Sequence, residues 1–316
     1  MGLQKIVCIV TIVLFANRTV TEAQCTSIQL QQNENTSIAQ PTINLKNLNS
    51  SDYEFLVTGG YRPEHNNLIK YVVSVRAFKQ KHHFGDNHAC GGTIITKSAV
   101  LTAAHCLYNA HKKLKAKHLS VVAGTPKRLV RVETTQSINV KRFKVHPKYK
   151  QQRSHKNDLA VLILEKDLSI GESAATITVP QSKPQAGQNC TVVGWGTVLQ
   201  FGPLPDEALN ANMQILPLSY CKTLEGFKEE GMICASNPKN FEVDSCQGDS
   251  GGPLICGERI YGIVSFGRGC GEPNNAGVYT DVYYFRDWIA KNSCAQDVMQ
   301  LPLVVLLLII PLKLVY

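Results

Sequence analysis

The segment Gly248-Asp249-Ser250-Gly251-Gly252-Pro253 places one hydroxyl among three glycines. Without side chains, backbone N–H groups there can approach a bound carbonyl closely. Such a hydroxyl becomes a nucleophile near neutral pH only beside a base. Upstream, Leu101-Thr102-Ala103-Ala104-His105-Cys106 ends an apolar run in a histidine, and Asn157-Asp158-Leu159-Ala160-Val161-Leu162 opens one with an acid. An imidazole serves as that base when a buried carboxylate fixes its tautomer and steadies its cationic form. Any one of these pieces alone reads as a turn or a core residue. Together they supply a nucleophile, a base and an orienting acid for acyl transfer.

The elements that must position them are strands. Short β-branched runs separated by Gly, Pro and polar turns recur at Tyr71 to Phe78, Thr93 to Thr96, Val100 to Ala103, Leu119 to Ala123, Leu129 to Glu133 and Leu159 to Leu164. They continue at Thr191 to Trp195, Gly252 to Ile255, Ile260 to Phe266 and Val278 to Val282. This spacing, with almost no helical stretch between, predicts an all-β sandwich or barrels. One helix is predicted over Asp281 to Lys291, where Val282, Phe285 and Ile289 recur at helical spacing beside Trp288. The polar stretch Asp167 to Gly187, with Pro180 and Pro184, reads as the connection between two halves.

The chain has 316 residues, 44% hydrophobic and 18% charged, which excludes wholesale disorder. Its net charge of +9 is uneven. Residues His111 to Lys156 carry 14 of the 33 basic groups with only Glu133 as an acid, a local +13 that leaves −4 for the rest. Such a tract is either a solvated face or a surface for anionic glycans, acidic substrates or lipid headgroups. Eleven cysteines without zinc-type spacing imply an oxidising compartment. Residues 1–23 read as a signal peptide: Lys5, an apolar run from Ile6 to Ala16, then Thr21 and Ala23 before a cut at Gln24. Removal takes Cys8 and leaves ten cysteines. Residues 24–56, with 17 Asn, Gln, Ser or Thr among 33, read as a flexible pro-segment. Sequons start at Asn35, Asn49 and Asn189.

The three motifs, in the order His, Asp, Ser and with Gly194-Trp195-Gly196 between the last two, resemble the trypsin and chymotrypsin family of serine endopeptidases from about Val57 to Asn292. The resemblance implies two six-stranded antiparallel β-barrels with a C-terminal helix over residues 57–294 and the active site between the barrels. It implies His105 as general base and acid, Asp158 as its orienting partner and Ser250 as the nucleophile. The N–H groups of Gly248 and Ser250 would form the oxyanion hole. Asp244 would lie at the base of the specificity pocket, with Gly267 and Gly277 on its walls, so that cleavage follows Arg or Lys. Ser265 would sit beside the buried acid, with Phe266 where the family more often has tryptophan.

The same resemblance implies the disulfides Cys90 with Cys106, Cys190 with Cys256, Cys221 with Cys234, and Cys246 with Cys270. A tether from Cys25 to Cys294 is a further expectation, with free or intermolecular thiols as its alternative. Val57-Thr58-Gly59-Gly60 matches the mature start, whose freed α-amino group pairs with Asp249. Leu56, not Arg or Lys, precedes it, which implies a latent precursor opened by a protease of apolar preference. No metal or organic cofactor is implied: Glu133 is the single carboxylate in Thr125 to Thr135, where the family can bind calcium. Implied partners are protein or peptide substrates, protein protease inhibitors, and an anionic glycan or membrane surface; nucleic acid is not among them. The rivals are a non-catalytic protease homologue acting as a binding protein and a basic surface module. The tail, residues 295–316, holds eight consecutive aliphatics from Leu303 to Ile310. It leaves three readings open: a short spanning anchor, a signal replaced by a glycolipid, or a soluble apolar end.

Overall fold

A computed structural model describes residues 60–293, except residues 79, 81, 111 and 152–154. The expected signal peptide, pro-segment, Val57, the Cys25 to Cys294 tether and the apolar tail lie outside the described residues. Among the described residues no helix is long and apolar enough to cross a membrane.

The first half contains β1 (Val72–Ala77), β2 (His88–Thr96), β3 (Ala99–Thr102), β4 (Tyr108–Asn109), β5 (Lys112–Lys113), β6 (Leu119–Ala123), β7 (Gln136–Val145) and β8 (Ala160–Leu164). Six of these close as β1-β2-β3-β8-β7-β6, leaving β4 and β5 as a small ladder outside. The second half contains β9 (Asn189–Gly194), β10 (Leu209–Ile215), a helical turn α1 (Leu218–Cys221), β11 (Met232–Ser236), β12 (Pro253–Cys256), β13 (Arg259–Phe266) and β14 (Gly277–Asp281). Its six strands close as β10-β11-β14-β13-β12-β9. The helix α2 (Arg286–Ser293) ends the described chain.

Burial explains the strand pattern. β3 and β8, with sequences AVLT and AVLIL, are buried throughout. Each such Leu or Ile withdrawn from water contributes roughly 1.5–3 kcal/mol. β7 instead exposes Lys141 and Lys144 and buries Val140. Val282, Phe285 and Ile289 are all buried against the first barrel's core, so the C-terminal helix returns from the second barrel to cover the first.

One expected strand is absent. Leu129 to Glu133 is a loop, with Val130 50% exposed. Here the backbone turns on itself, Val132 N–H donating to Thr135 Oγ1 and Thr135 N–H to the Val132 carbonyl. β-branched composition alone does not make a strand when a local turn takes its hydrogen bonds. The four expected disulfides, Cys90–Cys106, Cys190–Cys256, Cys221–Cys234 and Cys246–Cys270, are all formed.

Candidate active site

His105 opens a 3-10 turn just beyond the end of β3, closed by Leu107 N–H on the Ala104 carbonyl and tied to β2 through Cys106–Cys90. Asp158 precedes β8 and follows Asn157, whose φ of 62° suits a residue tolerant of the left-handed region. The carboxylate is fully buried. Its Oδ2 lies 2.8 Å from His105 Nδ1 and its Oδ1 accepts the His105 backbone N–H at 2.9 Å. A carboxylate only accepts, so Nδ1 carries the proton and Nε2 is the basic nitrogen.

The second barrel completes this acid. A register shift between β13 and β14 at Val264/Phe266 leaves Ser265 out of the ladder, and its hydroxyl donates to Asp158 Oδ2 at 2.6 Å. Thr280 Oγ1 on β14 donates to the Asp158 carbonyl at 2.8 Å. Burial works against both charged groups. Even so, the Asp158 charge and hydrogen bond raise the His105 pKa, while His105, Ser265 and the backbone N–H hold the Asp158 pKa down. The arrangement favours an imidazolium once a proton arrives on Nε2.

Ser250 stands on a loop that only glycine can shape, with φ of 105° at Gly248 and 79° at Gly251. The loop is tied to both barrels: the Ser250 carbonyl accepts Gly91 N–H at 2.8 Å, and Gly251 N–H donates to the Val264 carbonyl at 2.8 Å. The peptides bearing the Gly248 and Ser250 N–H groups are anchored from behind. Thr197 N–H holds the Gln247 carbonyl and Gly252 N–H the Asp249 carbonyl, each at 2.8 Å. Among the described residues no hydrogen bond joins Ser250 Oγ to His105, a contact that commonly tightens only with substrate bound.

Two more buried acids lie behind the loop. Asp249 accepts from Gly196 N–H at 2.7 Å and Cys246 N–H at 3.0 Å. Asp244 accepts from Ser245 N–H at 2.8 Å and Gly271 N–H at 3.2 Å. Neither has a cationic partner among the described residues, and burial pushes each pKa up to about 6. Asp244 lines a cavity of about 130 Å³ that also touches Ser250, Ser265, Phe266, Gly267 and Gly277. A β-carbon at Gly277 would come within 3.1 Å of Asp244 Oδ1 and 3.0 Å of the Tyr279 hydroxyl, so a larger residue on this wall would crowd the acid.

The neighbouring cleft of about 740 Å³ shares Phe266 and Gly267 and extends to Leu224, Arg268 and Glu272. Its rim is a stacked pair, Phe266 and His155, with ring centres 4.3 Å apart. Of the expected site residues, His105, Asp158 and Ser265 meet directly, and Asp244, Ser250, Phe266, Gly267 and Gly277 share one cavity. His155, Thr280, Tyr279 and Gln247 were not anticipated. They lie outside recognisable motifs, and only the folded barrels bring them to the site.

Two six-stranded barrels that share a buried carboxylate–imidazole pair, facing a serine on a glycine loop, define the class of two-barrel serine proteases. The trypsin family model matches residues 57–289. Trypsin epsilon of Drosophila erecta is 35% identical over 243 residues, covering 75% of this chain and 87% of that protein. Human trypsin-3 is 34% identical over 244 residues, covering 76% of this chain and 74% of that one. Among solved structures, mouse neuropsin, a serine protease expressed in the limbic system of the brain, superposes with a TM-score of 0.62 at 31% identity, covering 71% of this chain and 95% of its own. The chain belongs to the trypsin family of serine proteases.

Proposed function

We propose that the protein is a secreted serine endopeptidase that hydrolyses peptide bonds after Arg or Lys through an acyl-enzyme. The observation that carries this reading is Asp244, buried with no cationic partner among the described residues and lining a cavity that Ser250 also lines. A guanidinium or ammonium entering there gains a charge-assisted pair and brings the following carbonyl to the hydroxyl. Ser250 Oγ attacks the carbonyl carbon while His105 Nε2 takes its proton, and the carbonyl π pair moves onto an oxygen facing the Gly248 and Ser250 N–H groups. Collapse expels the amine, which receives the proton from His105. Water then repeats the sequence, with His105 as base, and releases the acid.

Asp249 supports an activation step. Among the described residues it has two backbone donors and no cationic partner, and an α-amino group freed at Val57 would supply the cation. On this reading the chain is latent until the Leu56 to Val57 bond is cut. Full activity in a chain whose N-terminus lies upstream of Val57 overturns that step.

Labelling with a fluorophosphonate, followed by peptide-library profiling, tests the main reading. A labelled Ser250 with Arg or Lys before the cut supports it. Absence of labelling in the processed chain favours the non-catalytic homologue that binds partners, and preference for Phe, Leu or Ala rejects the pocket assignment.

A second reading concerns the basic face. Lys112, Lys113, Lys115, Lys117, Lys144 and Lys148 are all exposed, and Lys113 Nζ lies 5.1 Å from the Phe143 ring, next to Lys144 in β7. An anionic glycan fits this unbalanced charge. It predicts salt-sensitive retention on heparin; elution at about 0.15 M salt, where exposed charges are already screened, rejects it.

A further inference from the structure

Arg128 lies in the loop joining β6 to β7, and only 7% of it is exposed. Its guanidinium is spent on main-chain carbonyls: Nη1 donates to Gly85 at 3.0 Å, Nε to Pro205 at 3.1 Å and Nη2 to Leu204 at 3.2 Å. Its own N–H donates to the Asp206 carbonyl at 2.6 Å, and its own carbonyl accepts Arg76 Nη2 at 3.0 Å. The Asp206 carboxylate is 3.7 Å away with its side chain 77% exposed, so it offsets little of the charge. One buried cation thus gathers a loop of the second barrel and two segments of the first.

Both groups of contacts lead to Gly248. On the second-barrel side, a β-carbon at Gly248 would come within 2.7 Å of Leu204 Cδ2 and 3.1 Å of the Trp195 carbonyl oxygen. These atoms wall in the Gly248 backbone. The Trp195 indole N–H in turn donates at 2.8 Å to the carbonyl of Pro126, two residues before Arg128. On the first-barrel side, the Gly85 carbonyl also accepts His88 N–H at 3.2 Å. His88 Nε2 donates to the Gly248 carbonyl at 3.1 Å. Its Nδ1 then accepts from the Ser74 hydroxyl at 2.8 Å, while Arg76 Nε donates to Ser74 Oγ at 3.3 Å. The relay runs in one direction, from Arg76 through Ser74 and His88 to Gly248.

We propose that Arg128 is a positioning residue for the oxyanion-binding N–H of Gly248, its side chain acting through Leu204 on one side and through the Gly85 carbonyl and His88 on the other. This inference rests on the acyl-transfer reading above. A donor that is displaced rather than removed should lose part of the 10²–10³-fold typical of losing one oxyanion contact. The loss should fall on the transition state alone.

The test compares the processed full-length wild type with Arg128→Met and Arg128→Lys, prepared in parallel. Two ligands separate the effects. Benzamidine presents a cation to the Asp244 cavity and nothing to Gly248. A peptide aldehyde ending in an arginine analogue also accepts Ser250 Oγ on its carbonyl carbon; the Ser250 proton passes to His105 and the π pair moves onto the oxygen beside Gly248. Arg128→Met is expected to lower kcat about tenfold or more with KM within about twofold. Aldehyde affinity should fall by the same factor while benzamidine affinity holds, and Arg128→Lys should recover part of the loss. A lower melting temperature with unchanged kcat, or equal weakening of both ligands, overturns the proposal. If Arg128→Met does not fold, Leu204→Ala must show the same split, and an unchanged kcat there overturns it as well. A wild type that turns over no Arg or Lys substrate breaks the underlying reading instead.

Discussion

Asp158 and Asp249 are both fully buried carboxylates, yet their pKa values move in opposite directions. Asp158, at the barrel junction, has an imidazole 2.8 Å away together with the Ser265 hydroxyl and the His105 backbone N–H, and these outweigh burial. Asp249, on the loop between β11 and β12, has two backbone N–H groups and no cation among the described residues, so burial wins and its pKa rises to about 6. Asp244 behaves like Asp249. At Asp249 and Asp244 two backbone N–H bonds do not offset burial, whereas at Asp158 the imidazole adds its charge interaction to the hydrogen bonds. The first barrel brings its acid an imidazole that becomes a counter-cation once Nε2 is protonated. The second holds two acids with no cationic partner among the described residues; in the proposed function the substrate side chain and the new α-amino group supply those cations.

Breaking the balanced pair has the largest expected effect. In Asp158→Asn the amide no longer obliges His105 to keep its proton on Nδ1, and the imidazolium loses its counter-charge. We expect kcat to fall about 10⁴-fold near neutral pH with KM little changed. A loss under tenfold would break the assignment of Asp158 as orienting acid.

Next comes Asp249→Asn, which keeps the volume and removes the charge. One amide position would face the N–H of Gly196 or Cys246 donor to donor, and the new N-terminus would lose its partner. Amidolysis by the processed chain should fall about 10²–10³-fold, the scale of losing one oxyanion donor. An activity equal to wild type would remove Asp249 from the activation scheme. Asp244→Ser sharpens the contrast, since it should cost Arg and Lys substrates alone. Their kcat/KM is expected to fall by about 2–5 kcal/mol of binding, with apolar substrates unaffected. An unchanged preference for Arg and Lys would sink the pocket assignment.

The two regions also differ in how far the sequence revealed them. The His105, Asp158 and Ser250 motifs are local strings bounded by apolar runs, so they were legible, as were β3 and β8, whose side chains are buried on both faces. β7 does not stand out in the sequence, because QSINVKRFKV exposes residues such as Lys141 and Lys144 and its charges mask the pattern. β10 and β11 escaped for a related reason: LNANMQI carries three polar residues, two of them Asn, and MICAS is short and has only one β-branched residue. The boundary of α2 shifted from Asp281 to Arg286, because Val282 and Phe285 belong to the turn that enters the helix. Nothing local marks His88, His155 or Arg128. Their partners lie 160 positions away for His88 and Gly248 and 77 for Arg128 and Pro205, and only closure of both barrels brings them together.

The smallest expected effect isolates the unbalanced acids. A folded-state pKa of about 6, above the ordinary carboxylate value near 3.9, favours the fold with the group protonated. That contribution is complete below about pH 4 and fades as pH rises through about 6. Asp158 has the opposite sign: its contribution is present above about pH 4 and fades as pH falls through its lowered pKa. His105, with its raised pKa, stabilises below about pH 6.5 and loses this as pH rises through the folded value. Benzamidine separates Asp244 from the others by supplying the missing cation to that cavity. At pH 8 the carboxylate is already ionised. At pH 5, one unit below about 6, only about a tenth of it is, so affinity should be about tenfold weaker. The thermal shift produced by a fixed benzamidine concentration should therefore be larger at pH 8 than at pH 5, and Asp244→Asn should abolish the difference. Equal shifts at the two pH values in the wild type would mean that Asp244 stays charged at pH 5, and that the second barrel balances this acid without help from a ligand.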